Sequence, residues 1–374
     1  MWKAFYKRFF HKRLLLLQVK LLGLNMVTLK DIAEKTGFSL SVVSRAMNPR
    51  PDQKVAEKTR TVILAAANEL GYRPNLAASL LAKGHSTSIG CFLPSSVGEM
   101  VGRIVNGLAD TANAVGIAYN IYFGNSLEDY RQFINYCCHI SSAGMITYLP
   151  ANAEQEPGGK EFYDMIRELT DKSGEVVLLN CPEVDLPHVQ TLCIDNDLIG
   201  SMAAEYLMSI NCDDYLLMTS PLERKSSYQM IHRCNGFLQT LEQSGRSGEY
   251  FVPGEYDYYR IKNMRRTAEL RRRLDAGRTV GIFLLTDYEA LSLYWTLVEE
   301  NLHHLIGKTI KIVGCDNIIN SRIATPPLTT ISLLEPFYAL GAISMKMLLN
   351  KLLKAQLEID TSLLKPQLIV RGSA

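Results

Sequence analysis

The sequence predicts a small all-α head followed by an α/β body of doubly wound parallel sheet. Three observations carry that expectation. Residues 28–74 hold three short amphipathic helical patterns, separated by a glycine turn and a proline-rich loop. Beyond Gly84, apolar runs of strand length alternate with helical patterns. Charge divides at the same place: residues 1–83 carry fifteen Lys/Arg against five Asp/Glu, and the remainder carries twenty-five against thirty-three. A basic head on an acidic body suits a head that meets a polyanion while the body does something else. The bland alternative is a solvated basic surface.

At 374 residues the chain exceeds what one core organises, so two or three units are expected. Its 47% hydrophobic and 21% charged content excludes a collagenous fibre, a disordered tail protein and a multi-span membrane protein. Eight scattered cysteines without a C-x-x-C argue for reduced thiols rather than a disulfide framework or zinc site. Residues 1–25 hold six basic residues, no acid and an apolar run interrupted by Lys20. That run is too short to span a bilayer, and no A-x-A-like cleavage site precedes Met26. They read as an extension, disordered or ahead of a start at Met26.

In the head, Thr28 can cap a helix that places Leu29, Ile32 and Ala33 on one face. Gly37 supplies a left-handed stop. Ser39 can cap a second helix with Val42, Val43 and Ala46 inward. Asn48-Pro49-Arg50-Pro51-Asp52 is a loop by composition. A third helix is expected over roughly Ala56 to Leu70, with Val62, Ile63, Ala66 and Leu70 inward and Gly71 and Pro74 ending it. Two short helices about a glycine turn, with a third packed on them, make a helix-turn-helix unit.

The string V-T-L-K-D-I-A-E-K-T-G-F-S-x-x-V-V-S-R-A-M-N, followed by E-L-G-Y-R-P-N and L-L-A-K-G, resembles the headpiece of the LacI-type (lactose-repressor and galactose-repressor) bacterial transcription regulators. The resemblance implies a helix-turn-helix DNA-binding headpiece at 26–73 and a hinge helix at 74–84. Leu40, Ser41 and Arg45 would enter the major groove, where an arginine fork suits guanine O6/N7. Ser39, Ser44, Asn48 and Arg60 would hold phosphates and set register, and Thr28 is a further DNA-binding position. In the hinge, Asn75, Ala78 and Leu81 match DNA-contacting positions, Leu81 being the apolar wedge of a minor-groove kink. Three departures bear on operator sequence: Val42 stands where the family has Thr, Ser79 where it has Arg, and Ala56 where it has Ser. The last should weaken that N-cap by roughly 1 kcal/mol.

In the body, strands are expected at Ser88–Leu93, Ile117–Phe123, Gly144–Leu149, Glu175–Asn180, Thr191–Ile194, Tyr215–Thr219, near Tyr250–Val252, Val280–Leu285 and Ile310–Cys315, with helices between them, one over Tyr259–Leu274. Continuous apolar strands alternating with helices indicate parallel sheets covered on both faces. Such sheets bind ligands beyond their carboxyl ends. The polar residues there are Ser95, Ser96, Asp195, Asn196, Thr286, Asp287, Asp316 and Asn317, of which Asp195, Asn196 and Asp287 are expected to be helix caps.

The resemblance continues through Cys193-Ile194-Asp195-Asn196, Arg233, Gly236-Phe237, Ile312 to Asn317, and Pro327 to Ile331. It implies a periplasmic-binding-protein-like body whose amino-terminal subdomain is 85–194 plus 333–360 and whose carboxy-terminal subdomain is 195–332 plus 361–374. The effector would lie between them against Ser95, Arg233, Tyr256, Thr286 and Asp316. Tyr258 and Tyr259 leave the register of Tyr256 open. An N-P-F-F-like string expected at Gly98-Glu99-Met100-Val101 is missing, so a pocket wall differs. The helix Phe337–Leu353, apolar at Leu340, Ile343, Met347 and Leu348, reads either as a dimer surface or as cover for its own sheet.

No G-x-x-x-x-G-K-[ST], G-x-S-x-G, H-E-x-x-H or Rossmann glycine string is present, which argues against a sugar- or nucleotide-processing enzyme with an accessory helical domain. A solute-binding receptor would have no use for the head. The reading is a cytoplasmic, homodimeric repressor without cofactor or metal, bound to double-stranded operator DNA and controlled by a small carbohydrate-like effector, with no membrane partner.

Overall fold

A computed structural model describes residues 27–47, 55–72, 88–95, 98–149, 158–170, 174–181, 183–219, 227–251, 256–257, 260–261, 267–353 and 356–374. The extension 1–25, Asn48, the hinge 74–84 with Asn75, Ala78 and Leu81, Ser96, Tyr258 and Tyr259 lie outside the described residues. The chain divides into two compact units, Met1–Ser79 and Leu80–Ala374.

The first unit is a helical trio: α1 (Leu29–Thr36), α2 (Leu40–Met47) and α3 (Glu57–Leu70). Thr28 caps α1 in a reciprocal box, its hydroxyl accepting from the Asp31 amide while the Asp31 carboxylate accepts from the Thr28 amide. Gly37 ends α1 at φ 72°, a left-handed position that costs glycine nothing. Ala56, at the N-cap of α3, makes no side-chain cap bond. Ile32, Val43, Ala46, Ile63, Ala66 and Ala67 form the core. Val62, expected inward, is 47% exposed, and Ala67 holds the buried place. Ile63, Ala66, Ala67 and Leu70 follow the i, i+3, i+4, i+7 rule, and Val62 lies 100° off that face.

The second unit holds two sheets. In the first lobe, β1 (Ile89–Leu93), β2 (Tyr119–Phe123), β3 (Gly144–Tyr148), β4 (Glu175–Leu179) and β5 (Val189–Leu192) run parallel in the order β2-β1-β3-β4-β5. Helices α4 (Glu99–Val115), α5 (Leu127–His139) and α6 (Gly158–Thr170) connect them. The chain then enters the second lobe through α7 (Asn196–Ser209). There β6 (Asp214–Met218), α8 (Tyr228–Gln243), β7 (Gly248–Phe251), a hairpin of β8 (Tyr256–Asp257) and β9 (Arg260–Ile261), α9 (Thr267–Asp275), β10 (Val280–Leu284), α10 (Asp287–Glu299), β11 (Ile310–Asp316), α11 (Ile319–Ile323) and β12 (Thr329–Ser332) follow. After β12, α12 (Leu334–Leu353) returns to pack on α4, β3 and β4 of the first lobe. Finally β13 (Gln367–Ile369) completes the second sheet, ordered β13-β12-β11-β10-β6-β7.

Two details depart from the sequence expectation. β13 pairs antiparallel with β12, so the second sheet is not wholly parallel. Of the helix expected over Tyr259–Leu274, the described residues are helical over Thr267–Asp275, whereas Arg260–Ile261 pair with Tyr256–Asp257 as the antiparallel β8–β9 ladder.

Double coverage explains why the strands are apolar at every position. Ile89, Cys91 and Leu93 point to the core shared with α4 and α12, while Phe92 points to Tyr130, Phe133 and Phe162 on the other face. In β10, Val280, Ile282 and Leu284 face α10, and Phe283 and Leu285 face the shared core. Leu340, Ile343 and Leu348 of α12 are fully buried in that core, and Met347 packs against it. That face therefore covers its own sheet and is not a free dimer surface.

Each lobe contains one close helix crossing that depends on glycine. A Cβ on Gly107 of α4 would meet the Tyr338 carbonyl of α12, and one on Gly341 of α12 would meet the Ile104 carbonyl of α4. In the second lobe, Gly200 of α7 faces the Arg233 carbonyl, and Gly236 of α8 faces the Asp197 carbonyl. Backbone cannot yield as a side chain does. Gly341→Ala should therefore lose about 1–3 kcal/mol in denaturant unfolding. Gly102→Ala, on the open face of α4 with nothing within 4 Å, should gain about 0.5–1 kcal/mol. Equal effects would contradict the crossing argument.

Candidate operator-reading face and effector cleft

In the head, the buried Val43 and Ala46 turn the opposite face of α2 outward. Leu40 is 53% exposed, and Ser41 and Arg45 are exposed beside it. Arg45 donates Nε to the Ser41 carbonyl at 3.1 Å, which anchors its stem. The hydroxyls of Ser39 and Ser41 meet at 3.0 Å. Ser44 is half-buried, and Thr28 spends its hydroxyl on Asp31 at 2.8 Å. Arg60 has a buried Nε with no hydrogen-bond partner among the described residues. A buried donor of that kind is uncommon in folded proteins.

The body's polar site is assembled at the carboxyl ends of β3, β4, β10 and β11. Arg233, on α8, is buried with its side chain 5% exposed. It donates Nε to Asn196 Oδ1 (3.1 Å) and Nη1 to the Leu285 carbonyl (2.6 Å), and lies 3.8 Å from Asp316 Oδ1. One guanidinium thus ties the start of α7 to the ends of β10 and β11. Tyr148, buried at the end of β3, is close enough to feel both the Arg233 and Asp316 charges. Its phenol oxygen accepts from Asn180 Nδ2 at 2.5 Å, and Asn180 Oδ1 accepts from the Ile194 amide.

Asp316 stands at φ 110° and Asn317 at φ 64°, two successive non-glycine residues outside the ordinary backbone region. Asn317 is held there by its bond to Ser332 and by Arg371, whose Nη2 donates to Asn317 Oδ1 at 2.6 Å. Asp287 is fully buried and was expected to cap α10. Thr286 does that instead, in a reciprocal box with Glu289. Asp287 is thereby free to turn inward, accepting from the Thr330 hydroxyl (2.6 Å) and the Ile318 amide (3.0 Å).

Of the sequence-predicted effector residues, Arg233 and Asp316 meet directly. Thr286 is half-buried with its hydroxyl committed to the cap. Ser95 is exposed and exchanges hydrogen bonds with Asn125. Tyr256 opens the β8 strand. Asp195 caps α7 as expected, while Asn196 is turned to Arg233 and to the Ile194 carbonyl. Tyr148, Asn180 and Asn196 are participants that the sequence reading did not single out as ligand-facing, although all three lie at or just past strand ends. At the opposite, amino ends of the second sheet, a hollow of about 530 Å³ is lined by Asp213, Asp214, Arg246 and Arg278. Its charge is largely internal: Arg278 forks onto Asp214 and holds that carboxyl below its usual range, with Arg273 assisting.

Burial pushes the Asp316 carboxyl up to about 6, opposed by Arg233. Burial, and then the Asp316 charge, push Asp287 up to about 8. Both stand above the 3.8 of a solvated aspartate carboxyl. Folding therefore favours their neutral forms: the stability they contribute is complete below about pH 4 and is lost as pH rises through 6 and 8. The midpoint of urea unfolding should fall across that window, and Asp287→Asn should flatten the upper part of the decline. An unchanged slope in the variant would show that Asp287 is not the source.

Comparison with known proteins gives two family matches. Residues 28–75 match the bacterial regulatory proteins of the lacI family, and residues 204–374 match the periplasmic binding protein-like domain. The HTH-type transcriptional repressor PurR of Salmonella newport (strain SL254) is 26% identical over 358 residues, covering 93% of this chain and 97% of the relative. Among solved structures, the lac repressor dimer bound to operator and the anti-inducer ONPF superposes with a TM-score of 0.63 at 22% identity, over 93% of this chain and 99% of that one. The complex of the transcriptional regulator CelR with cellobiose gives 0.59 at 19%, over 93% and 100%. Those two likenesses speak to the fold. With a matching helix-turn-helix head, a matching body and a full-length repressor relative, the chain belongs to the lacI family of bacterial regulatory proteins and is a ligand-responsive, DNA-binding transcription regulator.

Proposed function

We propose that the chain is a homodimeric repressor, acting in the cytoplasm, that releases or grips its operator according to a small polyhydroxylated effector. The observation that carries the DNA half is the outward face of α2, with Leu40, Ser41 and Arg45 exposed together and the Arg45 stem anchored to the Ser41 carbonyl. In this reading Leu40, Ser41 and Arg45 read base edges, while Thr28, Ser39, Ser44, Asn48 and Arg60 hold phosphates. Asn75, Ala78 and Leu81 contact the minor groove from the hinge. Two heads would address a pseudo-palindromic site, a reading supported by the lac repressor dimer bound to operator.

For the effector, Arg233 and Asp316 offer a guanidinium and a carboxylate at one strand edge, a pair suited to hydroxyl-rich molecules. Ser95, Tyr256 and Thr286 complete the proposed set. CelR's cellobiose complex supports the carbohydrate class. The reading assigns no chemistry to the chain and asks for no cofactor. Among the described residues no helix is long and apolar enough to cross a membrane.

Arg45→Ala should reduce discrimination between operator and random DNA by roughly tenfold or more, about 1–3 kcal/mol per lost fork, with the circular dichroism spectrum unchanged. Footprints of unaltered specificity would sink the assignment. Thermal-shift screening against neutral sugars, sugar phosphates, uronates and nucleobases should identify the effector class, since a ligand of the folded state raises Tm by mass action. With that compound in a gel-shift titration, Arg233→Ala should bind DNA without responding to it. A retained response would remove Arg233 from the site.

A further inference from the structure

We propose that Glu99 is a closure latch joining the first lobe to the Asp316 turn of the second. The turn presents two consecutive backbone amides to two carboxylates from different lobes. Ile318 donates to Asp287 Oδ2 within its own lobe at 3.0 Å, and Ile319 donates to Glu99 Oε2 across the cleft at 2.8 Å. Glu99 opens α4, the helix locked against α12 at the Gly107–Gly341 crossing, so a pull on its carboxylate is a pull on the lobe.

A second tie lies across the same cleft. Gln229, in the first turn of α8, donates Nε2 to the Asn180 carbonyl at 2.5 Å. Asn180 follows β4 at φ 51° and is itself bonded to Tyr148. Each tie sits beside a proposed effector residue: Ile319 is three residues beyond Asp316, and Gln229 is one helical turn before Arg233. The directions of the Ile318 and Ile319 amides follow from the left-handed backbone at Asp316 and Asn317. A ligand that engages Asp316 therefore acts on the piece of chain that carries the latch. Effector occupancy and lobe angle are coupled through that turn, by differential contact in the closed and open states. The regulatory meaning rests on the effector reading given above; the latch itself does not.

The alternative for Glu99 is only to place an acid at the first turn of α4, where the helix dipole favours negative charge. Three variants of the full chain separate the two roles, measured without any effector. In Glu99→Ala the Ile319 amide should exchange with deuterium roughly tenfold faster or more, the scale of one lost charge-assisted hydrogen bond, with the Ile318 amide unchanged under Asp287. Glu99→Gln keeps an acceptor oxygen and should retain most of the Ile319 protection. Combining Glu99→Ala with Gln229→Ala should raise the radius of gyration in small-angle scattering. Unchanged Ile319 exchange in Glu99→Ala, equal acceleration of Ile318 and Ile319, or loss of protection in Glu99→Gln to the level of Glu99→Ala would each overturn the latch. Because no ligand enters these measurements, their failure leaves the effector assignment standing. A failed gel-shift response at Arg233 in turn leaves the latch untouched.

Discussion

The body depends on one buried cation. A guanidinium withdrawn from water is costly unless its donors are satisfied and its charge is answered. Arg233 meets that condition with Asn196 from the lobe junction, the Leu285 carbonyl at the end of β10 and Asp316 at the end of β11. Those groups are spread over more than a hundred residues of sequence, from Asn196 to Asp316. Satisfying the arginine therefore fixes the relative positions of α7, α8 and two central strands. The same requirement concentrates polar atoms at the carboxyl edge of the sheet, where a parallel fold binds its ligand.

From that cation the backbone of the next turn follows. Asp316 faces Arg233, yet the chain must also leave β11 and enter α11, and it does so through two left-handed residues. Such a conformation persists because its surroundings over-determine it. Asn317 is bonded by Ser332 and Arg371, and Asp287 receives the Ile318 amide from beneath. Gly314 completes the arrangement, since a Cβ there would collide with the Asp287 carboxylate. Burial and then the Asp316 charge raise the cost of ionising Asp287, so the turn also carries groups that respond to pH near neutrality.

Helical periodicity made the head legible: a glycine stop, a capping threonine and inward Ile32, Val43 and Ala46 follow from spacing alone. The lobes were legible because strands buried on both faces are apolar at every residue. The expectation failed in α3 where it departed from helical spacing, taking Val62 as inward in place of Ala67, and where tertiary pairing overrode local preference, as at β8 and β9. The apolar stripe of α12 could not reveal whether a neighbour or a second copy would cover it; packing against α4 decided that. Arg233 and Asp316 were accessible through resemblance. Tyr148, Asn180 and Glu99 were not, because each acts through a contact with a residue remote in sequence.

The construction of the lobes limits how a signal can cross between them. Each is stiffened by a core on both sides of its sheet and by a helix crossing with no room for a methyl group. Close-packed bodies of this kind do not deform continuously; they move as units or not at all. The lobes are joined by chain passing at the start of α7, at the start of α12 and ahead of β13, and by polar bonds across the cleft. A ligand held at Arg233 and Asp316 touches the second lobe directly. Its influence on the first must therefore travel through the crossovers or through those few bonds, and the bonds alone break and re-form without straining the covalent chain.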